Sequence, residues 1–108
     1  MNSMIKLVDF RGDALYRGNV LRMPAKFPYE DYVDFMIFMT KAADRPHGLI
    51  VTSGYKAGLV LVYLPKECGY SEGGVSRDWI ISNWDKWVYP DCNVKDVYLI
   101  EGYVGTPP

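Results

Sequence analysis

Few side chains in this chain are placed to do acid–base or nucleophilic chemistry. His47 is the single histidine. A Ser–His–Asp arrangement would need it beside a reactive hydroxyl and an orienting acid; the candidates are Ser53 or Ser76, with Asp44. His47 falls in Arg45-Pro46-His47-Gly48, which reads as a turn leading into a strand. A turn or surface position is therefore expected for it. Glu30, Asp31 and Asp34 lie close together. Paired-carboxylate hydrolysis needs two acids held across a cleft, whereas three acids in one segment read as a solvated face or as a patch that steers a basic partner. Cys68 and Cys92, with one histidine, fall short of the four ligands of a Cys/His zinc site, and no C-x-x-C is present. Buried free thiols are expected rather than a disulfide. Gly54, Gly58, Gly73 and Gly74 lack the phosphate-loop frame and read as turns, as does Arg11-Gly12-Asp13. No enzyme, metal or cofactor is expected.

Composition narrows the partner classes. The chain has 108 residues, which fits one domain over 1–108, and 49% of them are apolar, which argues against disorder. The formal net charge is −1 and the lysines form no run. Direct nucleic-acid binding is disfavoured, since phosphate neutralisation supplies most of that affinity. The competing reading, a small nucleic-acid-binding domain stacking bases on strand aromatics such as Tyr55 and Tyr63, meets this objection. Nine tyrosines and three tryptophans exceed what a catalytic site would use. Most belong to the core or its rim, and the rest are favoured interface anchors. The opening MNSMIKLVDF has no apolar signal-peptide region, and Gly58–Leu64, the longest apolar stretch, is too short to span a bilayer. A cytoplasmic protein without membrane contact is expected.

The elements that would position these groups are mostly strands. Met4–Val8 and Val20–Met23 read as strands. A turn at Tyr29–Asp31 leads into a strand buried on both faces, with Phe35, Ile37 and Met39 alternating against Met36 and Phe38. Gly48–Ser53 and Leu59–Leu64 are apolar runs joined by a loop with a glycine at each end, so they read as a hairpin of central, doubly covered strands. Glu72-Gly73-Gly74 reads as a flexible joint. Ser76 is a good N-cap and Asp78 suits the first turn of a helix. The spacing predicts one helix from Arg77 to about Val88, ended by Pro90, with Ile80, Trp84 and Val88 on its core stripe and Trp79, Asn83 and Trp87 beside them. Lys95–Tyr103 alternates as a last strand, with Val97, Leu99 and Tyr103 on one face. The expected class is α+β: a mainly antiparallel sheet of about five or six strands, with one C-terminal helix packed on it.

Taken together, Leu15–Arg22, Gly48–Gly58, Ser76–Trp84, Lys86-Trp87, Tyr89-Pro90 and Asp96-Val97 resemble immunity protein family 45, found beside bacterial polymorphic toxins. The resemblance spans nearly the whole chain. It implies a cytoplasmic antidote of a contact-dependent growth inhibition system, whose partner is the C-terminal domain of a cognate toxin, commonly a nuclease such as a tRNase. Antidote contacts must differ between pairs, so they are expected on exposed turns rather than on fold-determining segments. The expected contact residues are Tyr29, Glu30, Asp31 and Asp34; Tyr55 and Lys56 at the hairpin tip; and Asp85, Tyr89 and Asp91 around the helix end.

Overall fold

A computed structural model describes residues 4–103. Its main sheet is antiparallel and six-stranded, built from β1 (Met4–Lys6), β3 (Val20–Pro24), β4 (Tyr32–Met39), β5 (His47–Val51), β6 (Val60–Tyr63) and β8 (Tyr98–Ile100) in the spatial order β1-β8-β3-β4-β5-β6. A second, two-stranded sheet joins β2 (Ala14–Leu15) to β7 (Val75–Ser76). Helical structure is confined to short pieces, of which α1 (Arg77–Ser82) is the only α-helix among the described residues. The strand count and antiparallel character agree with the sequence reading.

Alternation decides which face is buried. Leu21 pairs with Phe35, Met23 with Val33, Ile37 with Leu49 and Phe35 with Val51. Direct cross-strand partners share a face, and every one of these side chains is buried. Burial on this scale contributes about 1.5–3 kcal/mol per large apolar side chain before chain entropy is subtracted. Ile80, Trp84, Val88 and Tyr89 belong to the same core cluster.

Several elements differ from expectation. The helix is not continuous to Val88. The Ser76 hydroxyl accepts from the Trp79 amide and starts α1, but Asn83 leaves helical geometry and its side-chain amide donates to the Trp79 carbonyl. The chain then makes a wider, π-type turn over Trp84–Val88, closed by the Tyr89 amide on the Trp84 carbonyl. That widening seats the Trp84 ring, whose Nε1 donates to the Cys92 carbonyl at 3.1 Å in the interior. Met4–Val8 yields a strand only to Lys6, then a 3-10 turn over Leu7–Asp9. The last strand is limited to Tyr98–Ile100, after a 3-10 turn over Val94–Asp96 started by the Asn93 side chain.

β6 is not a central strand. It lies at the sheet edge, with Val60 and Tyr63 exposed, and the Arg45 guanidinium caps the outward Tyr63 carbonyl. β4 carries its core on one face only, since Met36 and Phe38 are partly exposed on the other. His47 is neither a turn nor a surface residue. It opens β5 opposite Met39, on the face of Leu49 and Val51, and is buried. The Gly73-Gly74 joint is a tight turn that returns the Gly74 carbonyl to the Tyr70 amide. Cys68 and Cys92 are free and buried, and burial, with Glu67 nearby, pushes the Cys68 thiol up to about 11.

Candidate functional site

β3 and β4 are the central pair of the sheet, and one register match between them builds the most organised polar group among the described residues. Arg22 stands opposite Asp34 on the face away from the core. The guanidinium grips the carboxylate as a fork, Nε to Oδ1 at 2.8 Å and Nη2 to Oδ2 at 2.9 Å. Tyr103 adds a third bond, its hydroxyl donating to Asp34 Oδ2 at 2.7 Å and standing 2.7 Å from the Thr52 hydroxyl. The Asp34 amide donates to Ser53 Oγ. Burial pushes the Asp34 carboxyl up, but the bonds from Arg22 and Tyr103 and the Arg22 charge outweigh it and hold the group below the ordinary carboxylate range. The same fork raises Arg22, while burial, the Asp34 bond and its charge raise the Tyr103 phenol. Met4, Tyr32, Ser53 and Tyr98 complete a cleft of about 590 Å³ around the pair.

Beside this cleft, two loops meet. Glu30 Oε2 accepts from the Tyr55 amide at 3.0 Å, joining the β3–β4 loop to the β5–β6 loop and lowering the Glu30 carboxyl through that bond. Gly54 makes the approach possible. Its φ is +68°, and the Glu30 carboxylate fills the space a side chain at position 54 would need. Tyr29 anchors its loop from beneath, edge-on to Phe35 and Tyr89 with ring centroids 5.9 Å away in each case. The Tyr89 hydroxyl accepts from the Lys26 amide.

The expected contact residues therefore divide. Tyr29, Glu30, Asp31, Tyr55 and Lys56 come together through the Glu30–Tyr55 bond, with Tyr55 88% exposed. Asp85 and Asp91 line a separate depression with Trp84, Pro90 and Asn93. Two residues are not the exposed groups they were expected to be. Asp34 is 4% exposed because its charge is turned onto Arg22, and Tyr89 is 7% exposed because its ring packs on Phe35. Sequence reasoning passed over Phe27, 94% exposed in the Glu30 loop, and Tyr32 on the rim of the cleft. It also missed Arg22, whose partner becomes visible only once the β3–β4 register is known, and Tyr103, which leaves the Val97–Leu99 face to cross the open side of the sheet. The residues considered for a nucleophilic triad stay apart: His47 lies on the core face, Ser53 lines the cleft on the other, and Ser76 caps α1.

A model of the family described as Immunity protein 45 matches residues 7–99. The chain belongs to the Immunity protein 45 family. No curated protein and no solved structure matches it. Membership gives this immunity protein an antitoxin role with a toxin protein as its partner, and immunity families are generally non-enzymatic. The matched span holds the Arg22–Asp34 pair and both joined loops, while Met4 and Tyr103 fall outside it. No helix among the described residues is long and apolar enough to cross a membrane.

Proposed function

We propose that this immunity protein is the cytoplasmic antidote to the C-terminal domain of a toxin delivered by contact-dependent growth inhibition, a nuclease of the tRNase kind, and that it works by covering that domain's basic substrate cleft. The observation that carries the proposal is the Glu30–Tyr55 bond, which fuses two loops into one surface. That surface offers what a basic partner needs. Glu30 and Asp31 supply exposed negative charge, Tyr55 and Phe27 supply rigid aromatic area, and Tyr29 holds the platform in place from the core. A nuclease is basic around its phosphate-binding cleft, so the acids steer the encounter and the aromatics hold the complex. Asp85 and Asp91 form a second acidic site that adds to steering.

The test uses the toxin domain encoded by the neighbouring gene. Glu30→Lys with Asp31→Lys should weaken binding by about tenfold or more in calorimetry, and Asp85→Lys with Asp91→Lys should slow association by a few-fold. Melting curves establish that both variants are folded. If both bind like wild type and still protect cells, the acidic-surface reading fails.

A further inference from the structure

The open face of the sheet at the cleft carries two cations, Lys6 and Arg22, against one anion, Asp34, whereas Glu30 and Asp31 stand on the loop beside it. Lys6 pairs with Tyr98, Tyr98 with Arg22 and Arg22 with Asp34, which sets four side chains in one row on the open face of the sheet. Two are cations and one is an anion, so Asp34 offsets only one positive charge. A guanidinium has five N–H donors. The Asp34 fork takes one from Nε and one from Nη2. Among the described residues Nη1 finds only Met4 Sδ at 3.8 Å, a weak acceptor. Lys6 has no carboxylate within ion-pair distance among the described residues, and its ammonium stands 6.0 Å from the centre of the Tyr98 ring. The fork, itself braced by Tyr103, keeps the guanidinium stationary, so little side-chain freedom is lost when a ligand arrives.

We propose that this cleft receives an acidic side chain, Glu or Asp, of the toxin domain. Its carboxylate accepts from Arg22 Nη1 and the second hydrogen of Nη2, Lys6 faces it from along the row, and its stem lies between Tyr32 and Tyr98. The assignment rests on the antidote reading and adds to it a second pole: Glu30 and Asp31 take cations of the partner, the cleft takes one anion, and the two together fix the docking orientation. A single carboxylate fits this balance. A nucleic-acid strand brings a row of phosphates, and those would meet Asp34 within the cleft and Glu30 and Asp31 beside it.

Calorimetry of the whole chain with the neighbouring toxin domain tests this, using Lys6→Gln, Lys6→Glu and Tyr32→Ala, with melting curves alongside. Tyr32 is 61% exposed, so Tyr32→Ala remains informative even if Lys6→Glu disturbs β1. Lys6→Gln should weaken binding about fivefold, Lys6→Glu about thirtyfold or more through added repulsion, and Tyr32→Ala about tenfold. A single-stranded RNA of about 16 nucleotides, titrated in the same way, should show no saturable binding. Wild-type affinity in folded Lys6→Glu and Tyr32→Ala would overturn the cleft and leave the antidote role standing. Failure of the wild-type chain to bind the toxin domain would overturn the antidote role and the cleft with it. RNA binding that Lys6→Glu abolishes would assign the cleft to phosphate and overturn the carboxylate.

Discussion

Tyr103 donates its hydroxyl proton to Asp34 across a separation of 69 residues, onto the same carboxylate oxygen that Arg22 Nη2 holds. The bond ties the segment after β8 to the middle of the sheet. Tyr103→Phe should lower stability by about 1 kcal/mol, since it removes one charge-assisted bond at a half-exposed ring. Asp34→Ala should cost more, about 2–3 kcal/mol, because it leaves the guanidinium without its acceptor. Urea melts compare the two, and equal stability of Tyr103→Phe and wild type would show that the hydroxyl is not engaged in solution. The Asp34 carboxyl is lowered in the fold, so its contribution is complete above the unfolded value of about 3.9 and disappears as pH falls through the lower folded one.

His47 offers a second pH window. It is 6% exposed, and among the described residues neither ring nitrogen has a hydrogen-bond partner. Burial lowers its folded pKa, while the unfolded ring takes a proton near the ordinary value of about 6.5. Above that value both states are neutral. Below it the unfolded state binds a proton that the native state refuses, so stability falls with pH until the folded value is reached, by up to about 1.4 kcal/mol per pH unit. As the only histidine, it should account for most of the loss between about pH 7 and 5.5. Urea midpoints of His47→Leu should stay level across that range, and a wild-type-like slope in the variant would place the titration elsewhere.

Trp84 is 1% exposed and its indole N–H is bonded to the Cys92 carbonyl. Trp84→Ala should cost about 3–5 kcal/mol through the cavity it leaves. Trp84→Phe should cost less, although it still strands the carbonyl. A melting temperature unchanged in Trp84→Ala would contradict the interior position of the π-type turn.

Gly54→Ala should act on the joined loops in two ways. It places a side chain where φ is +68°, at about 1 kcal/mol or more, and it evicts the Glu30 carboxylate from beside the Tyr55 amide. Hydrogen exchange should show the Tyr55 amide losing its protection while the core strands keep theirs. An unchanged rate at Tyr55 would mean that the two loops are not joined in solution.

Local signals in the sequence were sound where they depended on neighbours in the chain. Glycines around Tyr55-Lys56 mark the β5–β6 hairpin, and the Ser76 cap marks the start of α1. What depended on distant residues was not legible. An apolar run such as Leu59–Leu64 looks the same whether it becomes a central strand or an edge, and the neighbour that would decide it is elsewhere in the chain. The wider turn that seats Trp84 against the Cys92 carbonyl is one that helical periodicity cannot register. Asp34 looked like a solvent-facing acid because its counter-charge lies in another strand. The loops around Tyr29 and Tyr55 were each legible as turns, but their union depends on Glu30 reaching across.

The position of β8 has a consequence for timing. It fills the seam between β1 and β3, so the earliest strand cannot join the sheet until residues 98–100 exist to bridge it. On a ribosome adding roughly 5–20 residues per second, a growing chain can assemble the β3–β6 meander while β1 waits unpaired. Closure then comes as a late, long-range step, after the tunnel has released Ile100. The cleft, with Met4 on one wall and Tyr98 on another, therefore forms only once β1 and β8 are both in place.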